Sequence, residues 1–258
     1  MEQEWLWKGL KALGRQGSSA ALTMFLYLRN QAAKSVNAIL SRAFGLRLVR
    51  SNQFVIASFW PSQLLLFSRM FSQLQNVEGC VVECGVSTGN SLASLAILVR
   101  QEMKGRHIYG FDSFAGLPDP TDEDYGSPQG LAKKGLFGSA SSAGVFATLR
   151  SCGFNSESIE QMITLRKGWF SDSLPSFQEW PIALLHIDAD LYESYKTCLE
   201  VLWDKMAVNG VIVFDEYHRP NRWPGAKAAV DEFHAKHQDD MKLCEDPRTG
   251  RFYAVKLK

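Results

Sequence analysis

The sequence predicts a doubly wound α/β fold, a parallel sheet with helices on both faces. Two observations carry this. Runs rich in Val, Ile, Leu and aromatics at 79–85, 106–112, 161–168, 182–188 and 210–216 alternate with helical segments at 90–103, 142–152, 192–206 and 225–237. Such alternation means a parallel sheet covered by helices. The chain then closes on MKLCEDPRTGRFYAVKLK, two strand-like runs around Asp-Pro-Arg-Thr-Gly and hence an antiparallel pair.

Taken in order, residues 1–75 read as a helical extension and 76–258 as the α/β domain. Leu6, Leu10 and Leu13 share a face before Gly14, and Phe25, Leu28, Ala32, Val36, Ile39 and Ala43 share another before Gly45. A third helix opens at Pro61, where proline suits the first turn, with Leu64, Phe67, Phe71 and Leu74 aligned. These stripes are expected to be core or homo-oligomer contacts, part of the region roofing a ligand site. The apolar stretch AALTMFLYL (20–28) follows Glu2 and Glu4 and is too short to span a bilayer, so neither a leader nor a membrane segment is expected. Residues 113–141 are rich in Gly, Pro and Ser without periodicity, and a connection that long is usually a lid or disordered. Its acids Asp119, Asp122, Glu123 and Asp124 are expected to be solvated surface.

Composition narrows the function. The 28 Lys and Arg balance 27 Asp and Glu, a net charge of +1 that argues against nucleic acid or a membrane surface as partner. Five scattered cysteines without a C-x-x-C pair read as reduced residues of a cytoplasmic protein.

In open parallel sheets ligands bind beyond the carboxyl ends of the strands. The first strand ends VVECGVSTGNS, where Gly85 and Gly89 flank Val86, Ser87 and Thr88 after Glu83. The spacing G-x-x-x-G departs from the dinucleotide pattern G-x-G-x-x-G. Asp112, ending the second strand, is placed to accept hydrogen bonds from ribose hydroxyls, and with the glycine turn it points to an adenosine-bearing cofactor.

The fourth strand runs into His186, Asp188 and Asp190, the fifth into Asp215 and Glu216. Converging carboxylates repel: two unit charges 4 Å apart cost about 4 kcal/mol at an effective dielectric near 20. A raised pKa on one acid, or a wider separation, relieves this in part. A divalent cation does so more completely, and all-carboxylate ligands suit Mg²⁺ rather than zinc.

Read together, VVECGVSTGNS, IYGFDSFAGLP, LRKGWFSDSLP, LLHIDADLYESY and GVIVFDEYHRPNRWPGAKAAVDEF resemble the macrocin O-methyltransferase family over about 78–240. The resemblance implies a metal-dependent S-adenosylmethionine enzyme that methylates sugar hydroxyls of natural products. It implies a class I methyltransferase sheet of seven strands, the last antiparallel, in agreement with the terminal pair. Glu83, Gly85, Ser87 and Gly89 would form the methionine-side turn, and Asp112 would hold the ribose with Ser113 and Phe114 beside the adenosine. Gly168, Trp169 and Phe170 would shape the adenine side, with Asp172 near its amine. Asp188, Asp215 and Glu216 (or the latter more loosely, since the family more usually has a second aspartate) would ligate Mg²⁺ or another divalent cation. Asp190 would be the base and His218 the alternative base. The resemblance implies as acceptor a small hydroxylated molecule bearing a vicinal diol; a catechol presents the same adjacent oxygens. Trp223 either stacks on the acceptor or packs.

Three rivals use the same residues. His186, Asp188 and His218 spell a two-histidine, one-carboxylate iron site, which leaves Asp215 and Glu216 without a role. A nicotinamide dehydrogenase shares the ribose acid but not the glycine spacing. A non-catalytic S-adenosylmethionine-binding protein would not need acids at every strand end.

Overall fold

A computed structural model describes residues 59–258 apart from 129, 130 and 180. The helices expected within 1–45 lie outside the described residues. Within the compact unit Ser62–Lys258, seven strands form one sheet: β1 (Cys80–Cys84), β2 (Ile108–Asp112), β3 (Ile163–Lys167), β4 (Ile182–Ile187), β5 (Met206–Phe214), β6 (Met241–Glu245) and β7 (Phe252–Lys256). Their order is β3-β2-β1-β4-β5-β7-β6. β1 to β5 are mutually parallel, and β7 is antiparallel to both β5 and β6. The predicted doubly wound sheet with an antiparallel terminal pair is therefore the observed one.

Its core follows from the period of two along each strand. Val82, Cys84, Leu185, Ile187, Ile212 and Phe214 face α6 (Tyr192–Leu202) and α7 (Pro224–Lys236). Val81, Leu184, Val211 and Val213 face α1 (Phe59–Gln73) and α2 (Asn90–Glu102). β4, central to the sheet, is buried along its whole length, as its unbroken apolar run requires. Leu66, Phe67 and Met70 of α1, and Leu74 of the 3₁₀ turn that follows it, are fully or almost fully buried in the second layer. That helix opens at Phe59, two residues before the proline that the sequence marks.

Three differences from the sequence reading have local causes. α4 (Ser156–Met162) was not anticipated; the Asn155 side chain caps it by accepting the Ser158 N–H at 2.7 Å, which shortens the expected strand at 161. A one-turn helix, α5 (Phe170–Ser173), follows β3. The helix expected over 192–206 ends at Leu202, and a 3₁₀ turn at Trp203–Lys205 leads directly into β5. Between β2 and β3 also lies α3 (Ser142–Ser151), capped by Ser141.

The long connection 113–141 is tied down. Leu117 exchanges backbone hydrogen bonds with Leu136 and Gly135 at 2.9 Å. Asp124, expected on the surface, is instead buried: its Oδ1 accepts the Tyr192 N–H at the start of α6 at 3.0 Å, and its Oδ2 accepts the Thr121 N–H at 3.0 Å. A side chain on Gly225 in the first turn of α7 would strike the same carboxylate. Asp119, Asp122 and Glu123 are exposed, as expected. No helix among the described residues is long and apolar enough to cross a membrane.

Candidate active site

The parallel ladder extends one residue past each strand and so aligns the site. Gly85 N–H donates to Phe111 O at 2.9 Å, Asp188 N–H to Cys84 O at 2.9 Å, Asp215 N–H to Ile187 O at 3.0 Å and Gly168 N–H to Asp112 O at 3.0 Å. The glycine turn, the ribose-acid candidate and the acid cluster thus share one rim.

Gly85 has φ of 94°, and a Cβ there would lie 1.8 Å from the Asp188 carbonyl oxygen. Only glycine lets the turn pass this close to the β4 end. Gly89, at φ 83°, opens α2 against Val145. Asp112 braces the turn: its Oδ2 accepts Ser87 N–H and its Oδ1 accepts Phe114 N–H, both at 2.7 Å. The Ser113 hydroxyl closes the next turn, accepting Ala115 N–H at 3.0 Å and donating to Gly116 O at 3.1 Å. Phe114 packs partly buried against the α1–α2 layer. Gly168, Trp169, Phe170 and Asp172 follow at the end of β3; Trp169 remains 38% exposed and Asp172 exposed, whereas Phe170 leans on the core.

Glu83 is fully buried beneath this turn, paired across β1 and β4 with His186: Glu83 Oε1 lies 2.9 Å from His186 Nδ1. Gln63 of α1 completes the layer, its Nε2 3.4 Å from His186 Nε2 and donating to Asp215 Oδ1 at 3.1 Å. The carboxylate of Asp215 requires a donor from Gln63. That fixes the amide orientation and turns its N–H₂ toward His186 Nε2 as well.

The acids form two groups that share Asp188. Ligand atoms of Asp188, Asp190 and Glu216 lie within 4.8 Å of one another, as do those of His186, Asp188 and Asp215. Asp215 is held by cations: Arg251 Nη1 donates to Oδ1 at 2.7 Å and Arg219 Nη2 to Oδ2 at 2.6 Å. Burial acts to raise its pKa, but the arginine charges, Arg251 foremost, hold it below the usual carboxylate value. Asp188 and Glu216 have the opposite fate. Burial first, then neighbouring carboxylates, pushes both well above the usual range. Asp190, at φ 61°, is pushed up to about 7 by burial and the charge of Asp215, against Arg219 and Arg222. The Tyr195 hydroxyl lies 2.6 Å from Glu216 Oε2 and 2.9 Å from Ile187 O, and it accepts Glu216 N–H at 3.3 Å.

His218 joins neither group, so the two-histidine, one-carboxylate iron set does not assemble among the described residues. Burial, and then Arg251 and Arg219, lower its pKa to about 4. Trp223 is 3% exposed and packs in the core, leaving no face for an acceptor to stack on.

Sequence reasoning missed Gln63, Tyr195, Arg219 and Arg251. The last was within reach. Phe214 pairs with Phe252 in the antiparallel register, so the residues just outside that pair, Asp215 and Arg251, must meet. Gln63 carried no such signal, since its partner is 152 residues away.

This strand order, with glycine turn and acids on one rim, is that of the class I S-adenosylmethionine-dependent methyltransferases. The sequence profile of the macrocin O-methyltransferase (TylF) family matches residues 69–254, and the chain belongs to that family. It is 30% identical over 181 residues to demethyldecarbamoylnovobiocin O-methyltransferase of Streptomyces niveus, covering 69% of this chain and 66% of the relative. It is 26% identical over 182 residues to 8-demethyl-8-(2,3-dimethoxy-alpha-L-rhamnosyl)-tetracenomycin-C 4'-O-methyltransferase of Streptomyces olivaceus, covering 69% and 66%. The chain thus spans about two thirds of the length of these relatives. The solved structure of the O-methyltransferase NovP superposes with a TM-score of 0.65 at 28% identity, covering 76% of this chain and 80% of that one. The calicheamicin methyltransferase CalS11 shares the fold, with a TM-score of 0.64 at 24% identity over 88% and 90% of the two chains.

Proposed function

We propose that this chain is an S-adenosylmethionine- and Mg²⁺-dependent O-methyltransferase acting on a sugar hydroxyl, one of a vicinal pair, of a natural product. Family membership and the names of the relatives support the reaction class. The observation that carries the site assignment is the acid cluster on the same rim as the Gly85 turn and Asp112.

The donor chemistry fits a hard divalent cation. Four carboxylates, Asp188, Asp190, Asp215 and Glu216, outnumber the arginines that act on them: Arg219 and Arg251 bond Asp215, and Arg222 acts on Asp190 through its charge. Asp188 and Glu216 are pushed toward protonation without a further cation. Oxygen donors of this kind suit Mg²⁺. Asp188 and Glu216, with Asp215, would hold it, and it would lower the pKa of a coordinated hydroxyl and fix adjacent oxygens. S-adenosylmethionine would supply the methyl group.

The chain's own residues do the rest. Asp112 presents its carboxylate at the ribose position, already pre-set by Ser87 and Phe114 N–H. Gly168, Trp169, Phe170 and Asp172 border the adenine side. Asp190 takes the acceptor proton onto its carboxylate: its raised pKa suits proton uptake near neutrality, and its left-handed backbone, which aspartate tolerates, aims it off the strand axis. His218, neutral at pH 7, is the second candidate for that proton. The anchored loop 113–141 shields the reaction from water. Five unpaired thiols fit a reducing, cytoplasmic setting, and the exposed Leu64 and Leu65 of α1 fit a homo-oligomer contact.

Calorimetry tests the cofactor: S-adenosylmethionine or S-adenosylhomocysteine should bind in the micromolar range and NAD should not. Mass spectrometry of mixtures with vicinal-diol glycosides and a catechol then identifies the acceptor. A folded protein that binds neither sulfur compound refutes the reading.

A further inference from the structure

A divalent ion at this rim would not be the first cation there. Arg219 follows Asp215 and Glu216 on a tight turn, its N–H donating to Glu216 O at 2.7 Å and its carbonyl accepting Trp223 N–H at 3.0 Å. That turn folds the side chain back over the cluster. Its Nη2 lies 2.6 Å from Asp215 Oδ2 and 4.0 Å from Glu216 Oε1. The Arg219 side chain is 28% exposed, whereas the two carboxylates are 3% and 2% exposed. The guanidinium therefore covers the more open side of the cluster.

The two oxygens of Asp215 differ in consequence. Oδ1 accepts from Gln63 and from Arg251, both buried, and is committed to the interior. Oδ2 takes the more exposed partner, Arg219.

We propose that Arg219 is a resident cation of the acid cluster: it covers Asp215 Oδ2 and the edge of Glu216, weakens the binding of a divalent ion there, and withdraws when the ion enters. The inference rests on the metal reading above. Its physical basis is that a dication and a guanidinium drawn to the same carboxylates repel at short range. In a partly enclosed site that repulsion exceeds what one charge-assisted hydrogen bond returns. Withdrawal has somewhere to go, because Arg219 also lines a surface groove with His218, Pro220 and Arg222. Arg251, enclosed on the β7 side, stays and keeps Asp215 ionised.

The test is calorimetric titration of MgCl₂ alone into the cation-free full chain and into Arg219→Gln. The variant should bind Mg²⁺ about tenfold more tightly, within the usual range for coupling between two sites. It should also melt lower than the parent without cation and gain more from Mg²⁺. A residue that merely shapes the turn would lower the melting temperature without tightening the ion. Should Arg219→Gln fail to fold, Arg219→Met is read the same way. Equal or weaker Mg²⁺ binding in a folded variant overturns the proposal. Absence of binding to parent and variants alike overturns the metal reading, and the proposal with it.

Discussion

Asp188, Asp190, Asp215 and Glu216 show how far single residues can be read. Their convergence followed from strand ends alone, but their division did not: Asp215 belongs with two arginines and a glutamine, the others with one another. Sequence spacing states which rim a residue joins, not which neighbour claims its oxygens. Glu216→Gln removes an acid whose ionised form burial and the neighbouring carboxylates disfavour in the folded chain, so the cation-free variant should melt higher than the parent while losing the rise that Mg²⁺ gives. A lower melting temperature by scanning calorimetry would contradict this. Asp190→Asn should leave S-adenosylmethionine binding intact and slow turnover by about 10²–10⁴, the usual share of a positioned base. The parent rate should climb with pH along an acidic limb at or below about 7, because the carboxylate must be ionised to accept the proton. That limb should vanish in the variant. If His218→Ala is dead and Asp190→Asn active, the base is His218.

Among elements, β4 was legible because its apolar run is unbroken and the other strands because they alternate with helical segments, while α2, α3 and α7 open on Gly89, Ser141 and Pro224. Asp124 was not legible. An acid in a Gly/Pro-rich loop looks solvated, and only the fold brings it under the N-terminus of α6. Asp124→Ala should loosen the loop, raising hydrogen exchange across 117–136 and the KM for acceptor more than that for cofactor. In the parent, exchange in the loop should slow when cofactor and acceptor are bound. The docking of α1 has its own pH signature. Asp246, before β7, accepts from Arg69 of α1 and from Thr249, and although burial acts to raise its pKa, these partners hold it below the usual value. A depressed carboxyl contributes stability above its unfolded pKa and loses it as pH falls through the folded one. Asp246→Asn should therefore cost about 1.5–3 kcal/mol at neutral pH, the worth of hydrogen bonds to a charged group. The loss should shrink toward zero in acid, as read by urea unfolding across pH. A loss that is constant with pH would refute the linkage.

At the scale of the molecule, one arrangement unites these details. Parallel strands end together, a glycine turn passes within contact of Asp188, and an antiparallel last strand delivers Arg251 to Asp215. The residues proposed for cofactor, cation and acceptor are thereby neighbours by construction of the sheet. The most direct test is methyl transfer from labelled S-adenosylmethionine to a panel of vicinal-diol glycosides, before and after exhaustive chelation. Transfer should stop on chelation and return with Mg²⁺; transfer that continues undiminished without divalent cation would contradict the account.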